Sequence, residues 1–283
     1  MVFLIILLIT FCGNSVIITI LNVDSQLHTP MYFFLGNLSF VDICLSLVTV
    51  PQVLKNLLLE KKTISFAGCM AQVYFFLTFA NVEDFLLAVM AYDRYVAICN
   101  PLHYTMLMSR RLCVQLMAGS WVLANLDAIL HTVLTSKLSF CGSNEINHFL
   151  CDMAPLFKLS CSDTFVNEIV IFTEGTLVVM GPFIFILVSY VQIIGAILKI
   201  HSAEGRSKAF STCSSHLAVV TLYFGTIIFM YFRPSSSYSL TKDRLASVMY
   251  TILAPMLNPF IYSLRNNKVK GALRRMISQP GAV

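Results

Sequence analysis

Apolar residues dominate seven stretches of the chain, each about as long as a bilayer crossing, and polar residues crowd into the short links between them. The hydrocarbon core of a membrane takes about 20 mostly apolar residues in a helix. The stretches 1–21, 30–54, 68–98, 114–135, 169–198, 212–232 and 245–264 meet that requirement and predict seven transmembrane helices. The third and fifth carry acidic residues, which lowers their hydropathy without shortening them. Beyond the seventh, Val269, Ala272, Leu273, Met276 and Ile277 fall on one helical face, and Lys268, Lys270, Arg274 and Arg275 occupy the rest. That pattern predicts a short helix over 266–277 lying in the membrane interface. A solvated basic tail is the competing reading. No repeat, low-complexity tract or soluble domain interrupts the pattern, so the chain reads as one all-α, seven-helix membrane domain over 1–283.

Composition agrees with a lipid solvent. Hydrophobic residues make up 57 % of the chain and charged residues 12 %, against roughly 45–50 % and about 25 % in soluble domains. The net charge of +5 is modest and spread along the chain rather than gathered in a block, so it carries no argument for a nucleic-acid partner, and none is expected. Orientation follows from the basic residues. With the amino end outside, the cytosolic side takes Arg94, Arg110, Arg111, Lys199, Arg206, Lys208, Arg265, Lys268, Lys270, Arg274 and Arg275, the larger share of the 19. Nine cysteines leave at least one unpaired. Cys141, Cys151 and Cys161 share one polar link, and disulfides need an oxidising compartment. That link therefore belongs outside, in agreement with the charge bias.

Besides Asp93 near the end of the third, the acids Asp42, Glu83, Asp84, Asp127 and Glu174 fall within the predicted spans. Ionisable groups in lipid are expensive and usually functional. Several classes are disfavoured by what the spans contain. A retinal photoreceptor needs a lysine in the seventh span, and 245–264 has none. A transporter is expected to show internal repeats. An intramembrane metalloenzyme needs a pair such as His-Glu-x-x-His, and the histidines are scattered. His148 and Cys151 could supply soft metal ligands, but not if Cys151 is oxidised, so neither a metal site nor a catalytic residue is expected.

The motifs narrow the choice. Met90-Ala91-Tyr92-Asp93-Arg94-Tyr95-Val96-Ala97-Ile98-Cys99 closes the third run, and Asn258-Pro259-Phe260-Ile261-Tyr262 lies near the end of the seventh. Together they resemble the Asp-Arg-Tyr and Asn-Pro-x-x-Tyr signatures of rhodopsin-like G-protein-coupled receptors, with Asp42, Trp121 and Pro182 at that family's single landmark positions. Pro30-Met31-Tyr32-Phe33-Phe34-Leu35, Lys208-Ala209-Phe210-Ser211-Thr212-Cys213-Ser214-Ser215-His216-Leu217 and the run from Pro255 to Asn266 are similar to strings of olfactory receptors of the larger, tetrapod-type class.

That resemblance implies a receptor in the plasma membrane that binds a small volatile organic ligand and activates a stimulatory G protein to raise cyclic AMP. It implies a coupling role for Asp93, Arg94, Tyr95, Lys208, Asn258, Pro259 and Tyr262, and a central polar site of Asp42, Glu83 and Asn258 that can hold Na⁺ or a proton. It implies a Cys69–Cys151 bridge, leaving Cys141–Cys161 as a staple within the loop. It also implies a pocket in the outer half of the bundle, where helical spacing supplies candidate faces. These are Phe76, Leu77, Ala80 and Asn81 on the third helix, and Ile171, Glu174, Gly175 and Val178 on the fifth. Phe224, Ile227, Ile228 and Tyr231 follow on the sixth, with Thr251 on the seventh. Glu174 among apolar neighbours is expected to be protonated, paired with a polar group such as Asn81, or available to a ligand donor; Tyr231 is a second expected anchor.

Two departures stand out. The family has a glycosylated amino-terminal tail, whereas Met1 lies inside the first run and the only Asn-x-Ser/Thr triplet, Asn37-Leu38-Ser39, lies inside the second. A shortened chain is the expectation, and a receptor acting outside the nose or a non-signalling remnant is the alternative. The sixth run reads Tyr223-Phe224-Gly225 where the family reads Phe-Tyr-Gly.

Overall fold

The computed structural model describes residues 2–58, 63–141, 145–146, 148–231, 247–265 and 267–278. They form a helix bundle. The helices are α1 (Val2–Val23), α2 (Pro30–Leu58), α3 (Phe66–Cys99), α4 (Arg110–Ser136), α5 (Phe165–Leu198), α6 (Ala203–Tyr231), α7 (247–265) and α8 (Asn267–Ser278). The first six are long and apolar enough to cross a membrane. Helix α7 is continuous through a π segment, Met249–Leu253, into Ala254–Arg265. Residues 245 and 246 of the expected seventh span, and 232 of the sixth, lie outside the described residues. Helix α6 begins well before the expected 212, because the polar stretch from Ala203 continues the same helix.

Local chemistry sets the helix ends. Ser65 caps α3 by accepting from the Gly68 amide at 3.1 Å, and Ser109 caps α4 by accepting from Leu112 at 3.4 Å. Pro30 opens α2 at a position where its missing N–H costs nothing. Within lipid no water satisfies a stray carbonyl, so polar side chains turn inward or back onto their own helix. Thr10, Thr49, Ser120 and Thr251 each donate to the carbonyl four residues earlier.

Prolines inside helices need help from neighbours. Pro259 has no N–H to give the Pro255 carbonyl. The Asn14 side-chain amide of α1 donates to that carbonyl at 3.2 Å instead. The helices meet closely here, since a Cβ on Gly13 would lie 3.3 Å from Pro259. In α2, the carbonyl of Val48, three residues before Pro51, accepts from Gln72 of α3 at 3.0 Å. The other end of Gln72 accepts from the Cys151 amide at 3.0 Å, so one side chain pins the α4–α5 loop to α3 and α2.

The outward faces are apolar. Val122, Leu123 and Leu126 on α4, and Phe172, Leu177 and Val191 on α5, are all exposed. The buried interior holds Asp42, Glu83, Asp84 and Asn258. A protein in water sorts its residues the other way. Helix α8 buries Val269 and Ala272 against the bundle while Met276 is exposed beside Arg274 and Arg275. This is the amphipathic arrangement that the spacing predicts. Arg275 donates to Asp24 beside the α1–α2 link, and this bond holds the Asp24 carboxyl below its ordinary range.

Cys69 at the start of α3 is joined to Cys151, with Cα atoms 5.5 Å apart, and Cys141 is joined to Cys161 at 5.9 Å. Phe140 and Ser160 pair as an isolated antiparallel bridge beside the second disulfide. Two outcomes follow. Asn14→Leu leaves the Pro255 carbonyl buried without its donor and is expected to cost about 1–3 kcal/mol, read as a lower thermal unfolding midpoint of the purified protein; an unchanged midpoint refutes the assignment. Cys151→Ser is expected to cost about 2–5 kcal/mol and to collapse surface delivery, and non-reducing peptide maps should show Cys69 linked to Cys151 and to no other cysteine.

Candidate functional site

The candidate residues fall into three groups at different depths of the bundle. At mid-depth, Asn258 of α7 donates to both carboxylate oxygens of Asp42 on α2, each at 3.1 Å. Glu83 of α3 is fully buried. Among the described residues, neither of its carboxylate oxygens has a hydrogen-bond partner, nor have Asn258 Oδ1 or Ser46 Oγ. This is a set of orphaned oxygens around two acids. It suits a small hard cation, which takes oxygen ligands, or a proton on one carboxylate.

At the Arg94 end, Asp93 accepts from the Tyr104 hydroxyl at 2.8 Å, and Arg94 is buried. Tyr95 is half-buried, its ring 6.4 Å from that of Tyr92. Tyr262 is buried on α7, and Pro259 lies within that helix. Lys208 sits on α6, but its side chain lies outside the described residues.

The strongest link across this end is one that motif reading did not single out. His216 of α6 lies 3.0 Å from the Leu87 carbonyl through Nε2 and 2.8 Å from the Tyr190 hydroxyl through Nδ1. A carbonyl only accepts, so Nε2 carries the proton and Nδ1 accepts from Tyr190. One neutral imidazole thus fastens α6 to α3 and α5, with its ring stacked on that of Tyr190. The signal in the sequence was a histidine within an apolar run, which needs a partner when buried.

The expected pocket residues divide. Phe76 is buried against Tyr250, ring centroids 6.2 Å apart, in a cluster with Leu45 and Leu150, and Leu77 packs beside it. The Ala80 carbonyl accepts from Tyr223 at 3.1 Å. The exchanged order of Tyr223 and Phe224 therefore keeps the hydroxyl and aims it at α3. Phe224 is fully buried between Phe183 and Tyr223, 5.2 and 5.3 Å away. Ile227 and Ile228 join the core. Thr251 is buried, its hydroxyl spent on Ser247. The Tyr231 side chain lies outside the described residues.

On α5, Ile171, Glu174, Gly175 and Val178 all face partly inward while Phe172, Thr173, Thr176 and Leu177 are exposed. They share a face as expected, but within a π segment, Ile171–Met180. The suggested partner for Glu174 is corrected. Asn81 donates to Asp127 Oδ2 at 2.7 Å, and Glu174 instead lies 4.0 Å from His131 Nε2. Asp127 and His131 were separated by one turn of α4, and that spacing was readable.

A cavity of about 760 Å³ opens nearer the disulfides, lined by Gln52, Phe66, Cys69, Phe140, His148 and Phe149 among others. None of the expected pocket residues lines it. Of the expected pocket residues, Phe76 packs with Leu45, Leu150 and Tyr250, and Leu150 also lines the cavity.

A family model described as "Olfactory receptor" matches residues 3–280. The chain is 57 % identical over 277 residues to olfactory receptor 1F1 of Homo sapiens, covering 98 % of this chain and 89 % of the relative. It is 56 % identical over 278 residues to olfactory receptor 1f45 of Rattus norvegicus, with 98 % and 89 % covered. It is 56 % identical over 274 residues to olfactory receptor 1E16 of Mus musculus, with 97 % and 87 % covered.

Tyr190→Phe removes one bond of the His216 link, worth about 0.5–1.5 kcal/mol. The expected result is a few-fold to about tenfold larger population with α6 separated from α3, read by distance measurements between spin labels at the Arg94 ends of the two helices. An unchanged distance distribution refutes the fastening role.

Proposed function

Because this chain belongs to the olfactory receptor family, whose members sense odorants by coupling to a G protein, we propose that it signals by ligand-driven release of α6 at its Arg94 end. The family is one of receptors and not of enzymes, and the chain is a multi-pass protein of the plasma membrane. The observation that carries the proposal is the neutral His216, which ties α6 to α3 and α5 one step above the Asp93-Arg94-Tyr95 motif. A ligand that binds the separated state more tightly than the fastened one shifts the population by its differential affinity alone. The opened cleft then exposes Arg94 to a stimulatory G protein, and cyclic AMP rises. In this proposal the amino terminus faces outside, so the ligand enters from the side of the bundle that carries the disulfides.

The ligand in this proposal is a small, mostly hydrocarbon volatile with one hydrogen-bonding group. It parts Phe76, Phe224 and Ile227, which are closed against their neighbours, and its polar group reaches Glu174 or Tyr231. The chemistry of the lining supports this, since apolar pockets with a few polar handles suit such molecules. At mid-depth, Na⁺ or a proton at Asp42, Glu83 and Asn258 favours the fastened state and is released on activation. The orphaned oxygens of Glu83 support that reading.

Arg94→Ala is expected to abolish agonist-driven cyclic AMP, a loss of more than about tenfold, while cell-surface staining stays close to that of the parent. Undiminished signalling from this variant overturns the proposal.

A further inference from the structure

A second polar cluster lies between α4 and α5 and includes Glu174, one of the two polar anchors proposed above for the ligand. Asp127 and His131 stand one turn apart on α4 and Glu174 faces them from the π segment of α5. His131 is buried, and its Nε2 points between two carboxylates, 3.5 Å from Asp127 Oδ1 and 4.0 Å from Glu174 Oε2. Its Nε2 is too far from Glu174 for a hydrogen bond, and the one to Asp127 is at best weak. One ligand atom from each of the three residues lies within 4.8 Å of the others.

We propose that Asp127, His131 and Glu174 form a binding site for a zinc-class divalent cation. One imidazole and two carboxylates make a donor set that zinc accepts, with bonds of about 2.0–2.2 Å in a tetrahedral arrangement. Such bonds put neighbouring ligand atoms about 3.4 Å apart, so the observed spacings need only a small contraction. The other oxygen of Asp127 accepts from Asn81 at 2.7 Å, the outer-sphere bond that orients a metal-binding carboxylate. Glu174 keeps 42 % of its side chain exposed, which leaves an entry path and a fourth position for water. Charge points the same way. Two carboxylates within a membrane span are costly without a cation to share. Glu174 lies within the π segment, and such segments recur at functional sites.

The test uses the full chain in lipid nanodiscs, stripped with a chelator and dialysed against Zn²⁺, so it needs neither an agonist nor a G protein. A single zinc ion per chain is expected. His131→Gln and Glu174→Gln should weaken uptake by more than about tenfold, and Asn81→Leu by about 10–100-fold. Zinc should raise the thermal midpoint of the parent but not that of Glu174→Gln, whose zinc-free midpoint shows whether it folds. His148→Ala should leave uptake unchanged. Absence of stoichiometric zinc in the parent overturns the proposal and leaves the three residues as an ion cluster only. Uptake that survives the His131→Gln/Glu174→Gln double variant but vanishes in His148→Ala overturns it as well, and moves the ion to the cavity.

Discussion

Lipid supplies no hydrogen bonds, and that single constraint shapes nearly every polar contact in this protein. It forces the backbone into helices and makes each interruption of a helix a problem for a neighbour to solve. Pro259 leaves the Pro255 carbonyl without its helical donor, and Asn14 supplies one from α1. Gln72 of α3 donates to the Val48 carbonyl of α2 near Pro51 and, with its other end, holds the loop that carries Cys151. The tolerated prolines are thus also the places where helices are fastened to one another. Side-chain amides serve well here because each offers a donor and an acceptor without a charge to bury.

The same scarcity makes the interior a place where few arrangements are possible, and a receptor needs at least two. His216 satisfies the Leu87 carbonyl and the Tyr190 hydroxyl together, so separating α6 from α3 breaks both bonds at once. Such a fastening gives a discrete change rather than a gradual one. At mid-depth Asp42 accepts from Asn258 through both oxygens, while the Glu83 carboxylate and Asn258 Oδ1 have no hydrogen-bond partner among the described residues. An acid in that condition makes its surroundings sensitive to whatever neutralises it. The two sites share α3, which packs against α2, α4, α5 and α6. A shift of this helix is felt at both.

Several residues show how far pattern reading reaches. The inward face of α5 was legible from spacing, because Ile171, Glu174, Gly175 and Val178 stay on one side even in a π helix. The partner of Glu174 was not, since helix spacing gives the face of a side chain but not the facing residue on another helix. Asn81 reaches Asp127 across the α3–α4 contact, and the two are 46 residues apart in sequence. The amphipathic helix α8 was legible in full, as charge and apolar spacing agree over its whole length. The role of Tyr223 was not, because its direction depends on where the Ala80 carbonyl stands.

The amino-acid sequence by itself determined the solvent, the run of seven apolar stretches, the amphipathic spacing of α8 and the family, because hydrophobicity and contiguous motifs are properties of neighbours along the chain. Tertiary structure alone decided which polar groups meet. The Asn14–Pro255 contact spans 241 positions, Asp42–Asn258 spans 216, and His216–Leu87 spans 129. Separations of that kind leave no periodic trace. They are set by how helices tilt and pack, and by the cost of leaving any buried polar atom in lipid without a partner.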